Sequence, residues 1–267
     1  MRIPALIQEQ NSFPGITNRI LAGKVQKICV AYTGMDRFFP QEKLVLTGNP
    51  IRQDLTGLNE KRKEAIIHFG LSENKTTILV IGGSLGAATI NQSILNCLRT
   101  GNPSGNIQWI WQCGKFYFEK LCSEMKDEII VKGSCVKENN HLYPFIDRMD
   151  LAYSAADVVI SRAGAIAISE LCAVGKPVIL VPSPNVAEDH QTKNALALVE
   201  KKAAMMIRDN EAVEALGSAL GGLLTNTVLQ EEMKKNILSL AVTDAASRIA
   251  SEALKLIKNK ENLIFKR

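Results

Sequence analysis

The stretch Ile78-Leu79-Val80-Ile81-Gly82-Gly83-Ser84-Leu85-Gly86-Ala87 decides how this chain is read. Four apolar residues run directly into a turn rich in glycine, and a helical pattern follows, so the segment is written as a buried strand, a tight turn and a helix start. Glycine lets a backbone approach an anion closely. A helix start offers unpaired N–H groups and a partial positive charge, to which Ser84 adds a hydroxyl. A turn built on Gly82, Gly83 and Gly86 therefore suits a diphosphate, and it equally suits a ligand-free strand-to-helix turn. It lacks the Lys-Ser/Thr ending of a P-loop and does not match G-x-G-x-x-G in register. The end of the next strand carries Gln112-Cys113-Gly114 where a dinucleotide site needs an acid, which argues against a dehydrogenase.

Outward from this turn, the chain beyond about Thr76 alternates compact apolar runs with helical patterns, the signature of an α/β domain with a parallel sheet and crossover helices. Strands are expected at Ile78–Ile81, Ile107–Trp111, Glu128–Val131, Val158–Ser161, Val178–Val181 and Ala204–Ile207. Helices are expected near Ala87–Arg99, Tyr117–Met125, Met149–Ala156, Ile166–Val174 and Gln191–Lys201. The first fifty residues hold only short apolar runs, Leu6–Gln8, Ile28–Ala31 and Leu44–Leu46, with too few helices to cover both faces of a sheet. They read as the end of another α/β domain. Gly48-Asn49-Pro50-Ile51-Arg52 has turn chemistry and marks the passage between the two. After Asn226 the pattern is helical to the end, with Asp244 as N-cap of the amphipathic run Ala245–Ile257. The expected division is 1–50, 51–243 and a C-terminal helix over 244–267 that packs back towards the first domain.

The bulk properties set few limits. A chain of 267 residues with 46% hydrophobic content can bury a sizeable core. The excess of 32 Lys and Arg over 27 Asp and Glu is mild, and nucleic acid is not indicated. The six cysteines, Cys29, Cys97, Cys113, Cys122, Cys135 and Cys172, show no CxxC pair and no ligand-like spacing with His68, His141 or His190, which suggests a reducing compartment and no structural zinc. No stretch approaches the length of a membrane-spanning helix, so any membrane contact is expected to be peripheral. Trp109, Trp111, Met205 and Met206 read as core.

A second strand-to-helix junction, Val158 to Glu170, again presents backbone N–H groups behind the small residues Gly164 and Ala165. Glu170 lies one and a half turns further in, where a carboxylate can accept from both hydroxyls of a ribose or simply face solvent. Two such junctions in one domain favour a nucleotide diphosphate. The loop Val181 to Thr192 falls beyond the carboxyl end of a strand, where open α/β sheets bind ligands. There Gln191 suits sugar hydroxyls, and His190 suits either a polar helix start or catalysis. At the front, Gln8 to Asn18 reads either as a surface turn capped by Thr17 or as a loop facing the cleft.

Six segments stand together in one order: Gln8-Glu9-Gln10-Asn11 with Pro14-Gly15-Ile16-Thr17-Asn18, Gly48-Asn49-Pro50-Ile51-Arg52, Gly82 to Ala87, Pro144-Phe145-Ile146-Asp147-Arg148-Met149, Ser161-Arg162-Ala163-Gly164-Ala165, and His190-Gln191-Thr192 with Asn194-Ala195-Leu196. In this the chain resembles the MurG family, which transfers N-acetylglucosamine to the undecaprenyl-linked muramyl-pentapeptide precursor of peptidoglycan. The resemblance implies a GT-B architecture, with a complete C-terminal Rossmann-like domain holding UDP-N-acetylglucosamine and a partial N-terminal one. It implies that the backbone at Ile146 reads uracil and Glu170 holds the ribose. Ser84 and the helix start Gly164, Ala165, Ile166, Ala167, Ile168 and Ser169 would hold the diphosphate, Gln191 and Asn11 the sugar, and Arg52 would sit at the cleft. It implies an inverting single displacement without cofactor or catalytic metal, on the cytoplasmic face of the bacterial inner membrane, which the protein meets peripherally.

The family's glycine-rich loop bearing a histidine, and a second glycine-rich loop, have no counterpart after Met1. The expectation is a chain lacking roughly the family's first third, with the general base among the missing residues and no catalytic residue assigned. The competing expectations are a donor-binding module without independent turnover and, lacking this combination of motifs, a UDP-sugar epimerase.

Overall fold

A computed structural model describes residues 3–264 apart from 56, 102, 104, 126–128, 132–133 and 139. The chain runs β1 (Leu6–Glu9), α1 (Ile16–Leu21), β2 (Lys27–Val30), β3 (Leu44–Leu46), α2 (Arg62–Phe69), β4 (Thr76–Ile81), α3 (Ala88–Thr100), β5 (Ile107–Gln112) and α4 (Lys115–Glu124). It continues through β6 (Ile129–Val131), β7 (Ser134–Lys137), β8 (Asn140–Tyr143), α5 (Met149–Ala155), β9 (Val158–Ser161), α6 (Ala165–Val174) and β10 (Val178–Leu180). The last elements are α7 (His190–Val199), β11 (Met205–Met206), α8 (Ala212–Thr225), α9 (Thr227–Leu238) and α10 (Ala245–Ile264).

Two sheets result. β1, β2 and β3 form a three-stranded parallel sheet, and the other strands form an eight-stranded sheet ordered β11-β10-β9-β4-β5-β8-β7-β6. Its centre is parallel, as the buried apolar runs require, because a parallel strand covered on both faces is apolar at every position. Leu79, Ile110, Val159 and Leu180 enter one core cluster, while Ile78, Val80, Trp109, Trp111, Ile160 and Ile179 enter the other. The tryptophans are core, as read, and Met205 and Met206 pack at the edges of these clusters.

The sheet is not wholly parallel. β6, β7 and β8 pair antiparallel, and β8 joins the parallel part beside β5. The sequence hides this meander because Lys137, Glu138, Asn140 and His141 interrupt any apolar run, and the turn is made by Glu138 at φ 52. The expected strand at 128–131 begins on a residue outside those described. Two helices also escaped the reading, α2 and α8. In α8 the glycines Gly217, Gly221 and Gly222 weaken the helical signal, yet its packing on α3 buries Leu216, Leu220 and Leu223. Cys122 and Cys135, which the spacing left unpaired, form a disulfide between α4 and β7, so the cysteine pattern is a poor guide to redox setting here.

The small sheet has its own core of Val25, Ile28, Val30, Met35 and Phe39, while Ile16 and Ile20 of α1 stay exposed. The chain entering α10 crosses its far end. A Cβ on Gly48 would lie 2.8 Å from the Val242 side chain, and Gly48 takes φ +78 there.

Candidate functional site

The glycine turn leaves β4 at the centre of the large sheet, and Gly86 N–H closes it by donating to the Gly83 carbonyl at 3.1 Å. Gly83 and Gly86 both take positive φ, 87° and 80°, which glycine alone adopts without strain. A Cβ on Gly86 would stand 2.0 Å from the Cys113 carbonyl oxygen, and one on Gly114 would stand 2.4 Å from Gly86 N. The loops after β4 and β5 are therefore in backbone contact. Ser84 is exposed, and α3 begins after Ala87 without a side-chain cap, so its first N–H groups stay open to an anion.

The neighbouring strand β9 ends in a second uncapped helix start. Gly164 precedes α6 in extended conformation with no side-chain cap. The open donors are those of Ala165, Ile166 and Ala167. Ile168 N–H already donates to the Gly164 carbonyl at 2.9 Å, and its side chain is core. Ser169 Oγ turns away too, donating to the Ala165 carbonyl and accepting from Asn49 Nδ2.

Glu170 is half-enclosed, and both its oxygens have partners. Arg52 Nε lies 3.2 Å from Oε1, and the fully buried Tyr153 donates its hydroxyl to Oε2 at 3.3 Å. Burial raises the Glu170 pKa, and Arg52 and Tyr153 oppose that shift by favouring the anion. The same burial, with Glu170 beside it, pushes the Tyr153 phenol up, so it remains a donor. Arg52 thus pairs with the residue expected to hold a ribose. Ile146 is buried, and its N–H donates to Gln112 Oε1 at 2.9 Å, which leaves carbonyls rather than this N–H for a base edge.

Gln191, at the start of α7, accepts through Oε1 from Ala163 N–H at 3.2 Å and Ser183 N–H at 2.9 Å. Two backbone donors fix the amide orientation, and among the described residues its Nε2 has no acceptor, so it remains available to a hydroxyl. Asn11 accepts from Asn194 Nδ2 at 3.1 Å, and Asn194 Oδ1 in turn accepts from Ser12 N–H and Oγ. The front loop is shaped by Glu9, a buried carboxylate that accepts from Asn11 N–H and Nδ2, Gly15 N–H and Asn18 Nδ2.

Five residues emerge that the sequence reading gave no role. Gln112, Asn49, Tyr153 and Asn194 stitch the site loops together. Arg162, beside the second helix start, is neutralised by Asp209, which also accepts from Thr89 Oγ1. Their signal is three-dimensional, since partners such as Asn11 and Asn194 are 183 positions apart. His190 packs near Phe13 at 6.4 Å between ring centroids, and its Nδ1 is buried with no partner among the described residues.

Residues 77–249 match the glycosyltransferase family 28 C-terminal domain. A UDP-N-acetylglucosamine--N-acetylmuramyl-(pentapeptide) pyrophosphoryl-undecaprenol N-acetylglucosamine transferase of Flavobacterium psychrophilum is 50% identical over 97% of this chain and 68% of its own length. The protein of that name in Parabacteroides distasonis is 53% identical over 97% of this chain and 68% of its own length. The crystal structure of Acinetobacter baumannii MurG superimposes with TM-score 0.74 at 29% identity, covering 95% of this chain and 67% of that one. A helix start at the carboxyl end of each of two adjacent strands, a carboxylate on the second of these helices and half the sequence shared lead to one placement: the chain is a glycosyltransferase that belongs to the MurG family, with the family 28 C-terminal domain and the GT-B fold.

Proposed function

We propose that this transferase moves N-acetylglucosamine from UDP-N-acetylglucosamine to the 4-hydroxyl of the muramyl sugar in undecaprenyl-diphospho-MurNAc-pentapeptide, converting lipid I to lipid II in peptidoglycan synthesis. The observation that carries the reading is the pair of uncapped helix starts at Ala88 and Ala165, on adjacent strands, with Glu170 beside the second. The uracil N3–H donates to a carbonyl of the Phe145–Ile146 segment, and the ribose diol takes Glu170, competing with Arg52 and Tyr153. The diphosphate lies between Ser84 with its glycine turn and the N–H groups of Ala165, Ile166 and Ala167. Gln191 Nε2 and the Asn11 side chain hold the sugar hydroxyls and the N-acetyl group.

In the displacement the acceptor oxygen bonds to the anomeric carbon from the face opposite the diphosphate, and the bond to the diphosphate oxygen breaks with inversion. Charge gathers on the leaving UDP, where fixed N–H groups and two helix dipoles act without reorganising. The acceptor hydroxyl loses its proton to a base not assigned among these residues. The acceptor is a lipid, so the reaction belongs at the cytoplasmic face of the inner membrane, with the protein attached peripherally. Among the described residues no single helix is long and apolar enough to cross a membrane.

The test is transfer of radiolabel from UDP-N-acetylglucosamine to a lipid-linked muramyl acceptor. Product formation is expected. UDP binding without product defines a donor-binding module instead, and absence of UDP binding sinks both readings.

A further inference from the structure

The loops assigned to the uracil and to the diphosphate share one side chain. Gln112, at the end of β5, is 4% exposed, accepts from Ile146 N–H through Oε1 at 2.9 Å and donates through Nε2 to the Gly83 carbonyl at 3.1 Å. Each bond fixes a peptide plane. In a trans peptide the C=O and the following N–H point in opposite directions, so holding the Gly83 carbonyl towards Gln112 aims the Ser84 N–H the other way. Holding Ile146 N–H inward turns the Phe145 carbonyl outward by the same geometry.

Within the turn the Gly83 carbonyl also accepts from Gly86 N–H at 3.1 Å, and Gln112 Nε2 adds the bond that ties this plane to the base loop. Gly83 has φ 87 and open space around its missing Cβ, so no side chain of its own restrains rotation. The surrounding backbone is rigid, since Gly86 and Gly114 touch and Cys113 N–H donates to the Tyr143 carbonyl at 3.0 Å. That contact sets the distance between the two loops, and Gln112 links the peptide dipole of one to that of the other. A buried primary amide carries an acceptor and a donor on separate atoms, so Gln112 accepts from an N–H on one loop while it donates to a C=O on the other.

We propose that Gln112 is the positioning residue that couples base recognition to diphosphate recognition in this site. This rests on the reading of the site as a UDP-sugar pocket. With the amide in place, the carbonyl facing N3 of the base and the N–H facing the phosphate are set together, and the site discriminates against a ligand wrong at either end.

The test is calorimetry of the full chain with UDP, CDP and UMP, giving two affinity ratios, UDP over CDP for the base and UDP over UMP for the β-phosphate. In Gln112→Ala both ratios are expected to fall about three- to tenfold, one lost hydrogen bond at each end. Gln112→Glu keeps an acceptor for Ile146 N–H but sets a carboxylate oxygen against the Gly83 carbonyl, so it keeps the base ratio and loses the phosphate ratio. Weaker UDP binding with both ratios intact in Gln112→Ala, or loss of both or neither in Gln112→Glu, overturns the coupling. If Gln112→Ala melts before it can be titrated, Gln112→Glu decides alone. A wild-type chain that fails to prefer UDP over CDP and UMP overturns the site reading and this inference with it.

Discussion

Glu170 shows how the site balances binding against its own burial. Burial of this carboxylate beside a buried phenol disfavours its charge, Arg52 opposes that by favouring the anion, and the pair is partly screened because the Arg52 side chain is 39% exposed. Glu170→Ala is expected to weaken UDP binding by about 1–3 kcal/mol through loss of charge-assisted hydrogen bonds to the ribose, and unchanged calorimetric affinity would remove that role. The raised pKa adds a pH dependence with a definite sign. Because the native state holds this proton more tightly than the unfolded chain, ionisation costs stability as pH rises from the ordinary 4.5 through the raised value. The ribose needs the anion, so UDP affinity falls as pH drops through that same window, above 4.5. Glu170→Gln should flatten both trends. A titration in which wild type and Glu170→Gln fall in parallel assigns the pH dependence to another group.

At the scale of the element, what matters is how tightly loops and helices are forced together. Gly83→Ala meets nothing within 4 Å and costs only the strain of a positive φ, about 1–2 kcal/mol. Gly86→Ala drives a methyl to 2.0 Å from the Cys113 carbonyl, must separate the loops after β4 and β5, and should abolish UDP binding. Thermal melts with and without UDP separate the two, and equal effects would mean that the loop contact is dispensable. α5 is anchored similarly, by Asp150 between Arg148 Nε at 2.9 Å and Lys61 Nζ at 3.0 Å. These partners hold its carboxyl well below the usual carboxylate range, with the Arg148 hydrogen bond the largest cause. Its stabilisation is therefore present above the ordinary carboxylate pKa and is lost on acidification. Asp150→Ala removes the counter-ion shared by Lys61 and Arg148, while Lys61 Nζ keeps its bond to the Asp54 carbonyl, and is expected to cost about 1–2 kcal/mol in urea unfolding. The central strands were legible in the sequence because burial on both faces writes itself as unbroken apolar runs. So was the glycine turn, since positive φ demands glycine. The β7–β8 meander and α8 were not, because polar edge residues and helix glycines are tolerated only through neighbours that no local pattern reveals. Gln112, Tyr153 and Asn194 stayed unread for the same reason, since a lone Gln, Tyr or Asn says nothing until its partners are in place.

Across the whole molecule, the two sheets meet largely through polar side chains rather than a common apolar core. Asn49 accepts from Gln8 Nε2 and donates to the Gln10 carbonyl and to Ser169 Oγ, tying the small sheet to α6. Asn194 ties the front loop to α7 and, through the Ala163 carbonyl at 3.4 Å, to the second helix start. Between these ties lies a cavity of about 420 Å³ bordered by Tyr32, Leu46, Ile168 and Val242, so packing adds less here than inside either sheet. A junction of this kind allows the parts to shift relative to one another while each stays folded. Asn194 is fully buried and satisfies four groups, so Asn194→Ala should cost about 2 kcal/mol. The cost should be local. Hydrogen exchange is expected to quicken at Ile28, Cys29 and Val30 of β2 while Leu79 and Ile110 of the large sheet keep their protection. Equal acceleration in both sheets would make Asn194 part of one cooperative fold, and no acceleration in β2 would leave Asn49 and the Gly48–Val242 contact as the groups that hold the junction.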